Sequence, residues 1–311
     1  MSPVRVLTHM GGGIPKTITD AVPGVEVVVV KGEDDVPAGV EGEVLYTTAW
    51  GAPNLEEVLT RGVKWVHTMG TGMDKFPLHL IDDQVLSCSR GASGIPIAEF
   101  VLASMLAFSK NLPDTWIHDA DAQWHYAELG GLYGHTLGLI GLGGIGAAVA
   151  DRAIPFGMDV VALRRSDAPA HRSEIEVTRS LDELLGRSDQ IVLTAPATAE
   201  TKHLLNAEAF AKMKRGVHIV NIARGSLIDQ DALRVALDDG QVAMASLDTV
   251  DPEPLPAGHW IYEHPKVRLS PHISWSMPGA QDILIDTFLE NLRRYVAGEP
   301  LDGVVDVAAG Y

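Results

Sequence analysis

Short runs of aliphatic and β-branched residues alternate along the chain with longer stretches whose apolar positions recur at helical spacing. The runs predict strands at Val4–Thr8, Val25–Val30, Val44–Thr47 and Lys64–His67. A second series of strands is predicted at Thr136–Ile140, Val160–Leu163, Gln190–Thr194, Val217–Asn221, Ala243–Ser246 and Val267–Leu269. Helical patterns fall between them at Asn54–Thr60, Ile145–Phe156, Leu181–Gly186, Ala207–Lys212 and Asp229–Asp239. Strands separated by helices need crossover connections and therefore pair in parallel, which predicts a doubly wound α/β fold.

The pattern breaks near Gly91–Pro96, ahead of the apolar stretch Ile97–Ala107, which reads as a buried helix. A last helical pattern over about Gln281–Val296 follows the second strand series and can return the chain to the first lobe. The expectation is therefore two doubly wound parallel-sheet lobes with a cleft between them. Residues 1–96 plus 281–311 form one expected lobe, and 97–280 the other.

The length of 311 residues agrees with two domains of about 150 residues each. Hydrophobic residues at 46% and charged residues at 21% describe a chain able to bury a large core, which excludes a disordered or fibrous protein. A formal charge of −17 opposes binding to nucleic acid or anionic lipid. The single cysteine, Cys88, permits no internal disulfide and fits a reducing compartment. Met1-Ser2-Pro3-Val4-Arg5 lacks the features of a secretory leader, and no apolar run approaches the ~18 residues of a membrane span. A soluble, cytoplasmic protein is expected.

The first chemical signal is Gly141-Leu142-Gly143-Gly144-Ile145-Gly146, set between the strand ending at Ile140 and a helix-forming segment. In such a turn the first glycine permits the tight bend, the second lets the backbone approach a pyrophosphate, and the third lets the helix pack closely. Free N–H groups and the positive end of the helix dipole then face the phosphates. An acidic residue about 20 positions on would accept hydrogen bonds from the adenosine ribose of NAD. Here the next strand ends in Arg164-Arg165-Ser166, which offers donors suited to the 2′-phosphate of NADP. NADP(H) is the expected cofactor, with NAD(H) as the alternative and a solvated pair of arginines beside Asp167 as the bland one.

Three further segments sit at predicted strand ends. They are Asn221-Ile222-Ala223-Arg224-Gly225, Leu247-Asp248 through Glu253-Pro254-Leu255-Pro256, and Pro271-His272-Ile273. With the glycine turn upstream, this ordered set resembles the D-isomer-specific 2-hydroxyacid dehydrogenase family over nearly the whole chain. The resemblance implies that Arg224 binds the substrate carboxylate and polarises the keto oxygen. It implies that His272 is the general acid–base, that Glu253 bonds its imidazole, and that Asp248 lies beside the nicotinamide. It also places Ala195, Pro196, Thr201 and Ile222 with the glycine turn among the cofactor contacts, and Thr71 and Gly72 among the substrate contacts.

The chemistry needs these residue types. Reduction of a 2-keto acid puts negative charge on oxygen, so a donor that titrates near neutrality is wanted. A carboxylate partner favours the imidazolium and orients the ring, while a planar guanidinium engages carboxylate and ketone together. No metal is called for, and no His/Cys/Asp cluster has ligand spacing. Each residue has an ordinary alternative: Arg224 a surface ion pair, His272 one of twelve histidines, Asp248 a turn cap, Asp251 a rival partner to Glu253.

In the first lobe, Met69-Gly70-Thr71-Gly72-Met73-Asp74 follows a strand, and its amides can form an anion-binding concavity. Pro96-Ile97-Ala98-Glu99 resembles the start of the family's interlobe helix. Trp275 departs from the small residues of many relatives and resembles the glyoxylate/hydroxypyruvate reductase branch. Trp124 lies where the family makes dimer contacts, so a homodimer is expected. Thr194-Ala195-Pro196-Ala197-Thr198 departs from the family's bulkier neighbours of that proline. With Tyr311 as its last residue, the chain is expected to lack the regulatory domain of many phosphoglycerate dehydrogenases. The expected function is hydride transfer between NADP(H) and a small 2-keto acid such as glyoxylate or hydroxypyruvate. The alternatives are an NAD-dependent phosphoglycerate or D-lactate dehydrogenase, or a dinucleotide-sensing protein resembling a corepressor.

Overall fold

The computed structural model of the chain describes residues 3–120, 124–125, 127–166 and 169–311. Met1 and Ser2 of the N-terminal stretch, and Asp167 beside the arginine pair, lie outside the described residues. Two compact units divide the chain. One runs from the N-terminus to Ala92 and resumes over Pro278–Tyr311; the other is Ser93–Met277.

The first unit contains β1 (Val4–Thr8), α1 (Ile14–Ala21), β2 (Val25–Val29), β3 (Val44–Thr48), α2 (Leu55–Leu59), β4 (Trp65–Met69) and β5 (Val85–Cys88). Its sheet is parallel throughout and ordered β2-β1-β3-β4-β5. Central strands buried on both faces read as continuous apolar runs, which is why β3 and β4 stand out in the sequence.

The second unit opens with α3 (Gly94–Ser109), β6 (Thr136–Ile140), α4 (Gly144–Ala153), β7 (Asp159–Leu163), β8 (Ile175–Thr178), α5 (Leu181–Arg187) and β9 (Gln190–Leu193). It continues with α6 (Ala207–Lys212), β10 (Val217–Asn221), α7 (Gln230–Asp238), β11 (Val242–Leu247) and β12 (Val267–Leu269). The seven strands are parallel, in the order β12-β11-β10-β9-β6-β7-β8. One core, around Leu193, Ile219 and Leu233, and another, around Val101, Leu139 and Val149, pack this unit. Strand order reverses between β6 and β9, and the carboxyl ends of strands at such a switch point are where open α/β sheets bind ligands.

The chain then returns to the first unit as α8 (Ala280–Ala297). Phe288 of α8 stacks on Tyr46 at 4.2 Å and lies 5.6 Å from Trp65, all three fully buried. Burying side chains of this kind contributes roughly 1.5–3 kcal/mol each, enough to tether a helix so distant in sequence.

Candidate active site

The glycine turn joins β6 to α4. Gly141 has φ +108°, where a side chain would be strained, and a Cβ there would lie 2.9 Å from the Ala195 amide nitrogen. Gly146 packs so closely that a Cβ would approach the Gly141 carbonyl oxygen to 2.4 Å. Gly143, by contrast, faces open space, with nothing within 4 Å of a Cβ position. The first and third glycines close the turn, and the second leaves room for a ligand beside it. The first turn of α4, which includes Gly144 and Ile145, carries no acidic side chain to oppose an anion. These features fit the pyrophosphate of a dinucleotide. Thr194, at the end of β9, donates to the Gly141 carbonyl at 2.7 Å and ties the two strand ends together.

Arg164, Arg165 and Ser166 follow β7 directly. Arg164 Nη1 donates to the Pro169 carbonyl at 3.2 Å, and Arg165 pairs with Glu200 at 2.6 Å. Beyond β9, Thr201 donates to the Pro196 carbonyl at 2.7 Å and accepts from the Thr198 amide at 2.8 Å, so the loop 196–201 is folded on itself. The Ile222 side chain is buried in the core.

At the end of β10, Asn221 forms a local Asx-type turn. Its Oδ1 accepts from the Ala223 amide at 3.1 Å and its Nδ2 donates to the Arg224 carbonyl at 2.9 Å. Arg224 therefore leaves the strand on a defined turn, with Nη1 donating to the Ala223 carbonyl at 2.8 Å. The next residue must be glycine. A Cβ on Gly225 would fall 1.9 Å from the Val250 carbonyl carbon and 2.4 Å from the Asp251 nitrogen.

That close approach links the arginine motif to the loop after β11. The Val250 amide donates to Glu253 Oε1 at 3.1 Å, and Glu253 Oε2 meets His272 Nδ1 at 2.9 Å. Glu253, not Asp251, is the imidazole's partner. The Asp251 backbone is held by Gln230: its N–H donates to Gln230 Oε1 at 3.2 Å, and Gln230 Nε2 donates to its carbonyl. The His272 and Glu253 side chains are 40% and 26% exposed, so the pair is open to an incoming ligand.

Asp248 is 2% exposed and supports the same loop from beneath. Its Oδ1 accepts from Ser270 Oγ at 2.6 Å and from the Ile273 amide at 2.9 Å, and its Oδ2 from the Ser274 amide at 2.9 Å. Burial alone would raise this carboxyl, but the bonds from Ser270, Ser274 and Ile273 hold it below the usual carboxylate range. Arg224, Glu253, His272 and Asp248 are thus brought together through a continuous set of contacts.

In the first unit, Thr71 and Gly72 follow β4. Thr71 Oγ1 donates to the Ser89 carbonyl at 3.1 Å, and the Ser89 amide donates to the Gly70 carbonyl at 2.9 Å, so the turn is tied to the end of β5. Among the described residues, no group of three or more His, Cys, Asp or Glu is placed to hold a metal. Nor is any helix among them long and apolar enough to cross a membrane.

The site also rests on supporting residues that the sequence motifs give no role. Gly225 sits within the arginine motif, but its need for space comes from Val250, 25 positions away and invisible locally. Asn221 carried a signal, as an Asn at a strand end favours an Asx turn. Gln230 and Ser270 carried none.

A seven-stranded parallel sheet with a glycine turn at its switch point defines a protein of the Rossmann dinucleotide-binding class. Residues 102–274 match the family described as D-isomer specific 2-hydroxyacid dehydrogenase, NAD binding domain. The chain belongs to the D-isomer specific 2-hydroxyacid dehydrogenase family. It is 35% identical over 295 residues to D-3-phosphoglycerate dehydrogenase of Mycobacterium tuberculosis, covering 93% of this chain and 53% of that one. It is 32% identical over 263 residues to glyoxylate reductase of Thermofilum pendens, covering 82% and 71%. This chain spans about half the length of the phosphoglycerate dehydrogenases it matches. Among solved structures it is similar to a D-isomer specific 2-hydroxyacid dehydrogenase from Xanthobacter autotrophicus Py2 in complex with NADPH and MES. That likeness has a TM-score of 0.84 and 28% identity and covers all of both chains.

Proposed function

We propose that this chain is an NADP(H)-linked reductase of small 2-keto acids, such as glyoxylate or hydroxypyruvate, yielding the D-2-hydroxy acid. The observation that carries this reading is the 2.9 Å contact between His272 Nδ1 and Glu253, continuous through Val250 with the turn bearing Arg224. With Nδ1 turned to Glu253, Nε2 is the nitrogen that gives a proton to the keto oxygen. Glu253 stabilises the imidazolium before transfer and fixes the ring. Arg224 holds the substrate carboxylate and polarises the ketone as a planar, permanently charged donor. Thr71 and Gly72 take the substrate-binding role assigned to the first unit.

When bound, the reduced nicotinamide supplies the hydride to the carbonyl carbon. The pyrophosphate belongs at Gly141, Gly143, Gly144, Ile145 and Gly146, and the 2′-phosphate at Arg164, Arg165 and Ser166. Ala195, Pro196, Thr201, Ile222 and Asp248 complete the cofactor contacts. The arginine in place of an acidic residue after β7 supports the preference for NADP(H), as does the NADPH in the related Xanthobacter structure.

A second reading, an NAD-dependent phosphoglycerate dehydrogenase, is favoured by the 35% identity to the M. tuberculosis protein. Steady-state rates with glyoxylate, hydroxypyruvate and its phosphate ester, each with NADPH and NADH, separate the two. Preference for the phosphate ester with NADH would replace the first reading by the second. We also propose a homodimer, because Trp116, Trp124 and Tyr133 expose 62%, 68% and 86% of their surface within one segment. Light scattering of the purified chain tests it.

A further inference from the structure

His272 adopts φ +56°, the left-handed region, which residues carrying a Cβ enter seldom and which persists where the surroundings enforce it. Two groups grip the peptide unit that follows its Cα. The Ile273 N–H of that unit donates to Asp248 Oδ1 at 2.9 Å, and its carbonyl, that of His272, accepts from the Trp275 indole Nε1 at 3.0 Å. One peptide plane is thus held at both ends, by a buried carboxylate on one side and an indole N–H on the other. The Ser276 amide, donating to the Ile273 carbonyl at 2.9 Å, closes the turn that brings the indole back over His272.

We infer that Trp275 is a positioning residue: its indole N–H fixes the 272–273 peptide so that the His272 imidazole is presented to Glu253. The orientation of that peptide sets the backbone of His272, and the imidazole must stay at 2.9 Å from Glu253 to be held in one orientation. Loss of the indole donor leaves the peptide held by Asp248 alone, so the whole unit, the Ile273 amide included, opens more often. The imidazole then samples positions away from Glu253, and only a fraction of molecules are poised to transfer the proton.

The inference rests on the reductase reading for its kinetic arm alone. The test compares Trp275→Phe, which keeps an aromatic ring and removes the N–H, with Trp275→Ala in the full chain. Trp275 is 37% exposed, so both variants should fold, and thermal melts check this. The expected result is a fall in kcat of about three- to tenfold in both variants, the scale of one lost hydrogen bond. The KM for glyoxylate and the NADPH dissociation constant stay within about twofold in Trp275→Phe, because no binding group has been removed. Hydrogen exchange of the Ile273 amide accelerates by a similar factor in both variants. A Trp275→Phe protein with wild-type kcat and exchange, alongside a KM change confined to Trp275→Ala, would overturn the clamp and assign Trp275 to pocket shape. If the wild type reduces no 2-keto acid, the reductase reading fails by itself. Ile273 exchange then decides the clamp, and unchanged exchange in Trp275→Phe would overturn it.

Discussion

Replacing Gly225 by alanine tests how the arginine motif is joined to the acid–base pair. The added Cβ would sit 1.9 Å from the Val250 carbonyl carbon and 2.2 Å from its oxygen, both backbone atoms. Ordinary carbon contacts begin near about 3.5 Å, so the turn carrying Arg224 and the loop carrying Glu253 must separate by about 1.5 Å. Neither side can yield by rotating a side chain. Overpacking of this kind costs roughly 1–3 kcal/mol, and backbone on backbone places Gly225→Ala at the upper end. For a unit of this size, that corresponds to a fall in melting temperature on the order of 6–12 °C. The functional loss should be larger. A displacement of about 1 Å between reacting groups can cost on the order of 100-fold, so kcat/KM for glyoxylate reduction should fall by at least that factor. The assay is a thermal melt together with steady-state NADPH oxidation. NADPH affinity, which the proposed function places on the glycine turn at β6, should change little. A Gly225→Ala protein with wild-type melting temperature and turnover would refute the claim that the two loops are in contact and interdependent.

Other substitutions probe the remaining assignments. His272→Ala should abolish turnover while NADPH titration by fluorescence gives a nearly unchanged dissociation constant; loss of cofactor binding would instead make the histidine structural. Glu253→Gln removes the negative charge facing the His272 ring, so kcat for glyoxylate reduction should fall while the NADPH dissociation constant holds, and an unchanged kcat would argue against the pair. Arg164→Asp should raise the ratio of NADH to NADPH efficiency, and an unchanged ratio would remove the 2′-phosphate from this position. Buried His67 and His218 are both held neutral by burial, with pKa values lowered to about 3. Their unfolded values lie near about 6.5, so the unfolded chain binds more protons below that pH. Stability should therefore decline from pH 6.5 downward, by up to ~1.4 kcal/mol per pH unit for each histidine. His218→Gln should reduce that slope in urea titrations at pH 7 and pH 5, and identical slopes would contradict the buried neutral state.

The elements with continuous apolar runs were readable in the sequence because parallel strands covered on both faces admit little else. What escaped has identifiable physical reasons. β8 is a four-residue strand with Glu176 and Val177 exposed, and β5 is an edge strand of the same length, so neither forms an apolar run of useful length. α1 follows Gly11-Gly12-Gly13, carries Pro15 in its first turn and includes β-branched residues, all of which weaken a helical pattern. The start of α3 at Gly94, earlier than Ile97, escaped because Gly94 and Pro96 carry no helical pattern; Gly94 packs against α4, where a Cβ would lie 3.3 Å from the Gly144 carbonyl oxygen. At the site, residue identity and order pointed to Arg224, Glu253 and His272. Spacing to Pro254 and the family resemblance favour Glu253 over Asp251, and the fold adds the 2.9 Å contact with His272 that spacing alone does not show. The support given by Asp248 and Gly225 depends on backbone groups brought together across the sheet edge, which no local pattern announces, while the Trp275 bond to the His272 carbonyl lies within one turn.

In the proposed function, this chain reduces a 2-keto acid with the His272–Glu253 pair as proton donor. The most direct measurement is NADPH oxidation by the purified chain, followed through the nicotinamide absorbance, with glyoxylate and hydroxypyruvate as substrates. Turnover with at least one of them, faster with NADPH than with NADH and lost in His272→Ala, is the predicted result. Tight NADPH binding with no oxidation in the presence of any 2-keto acid would contradict it.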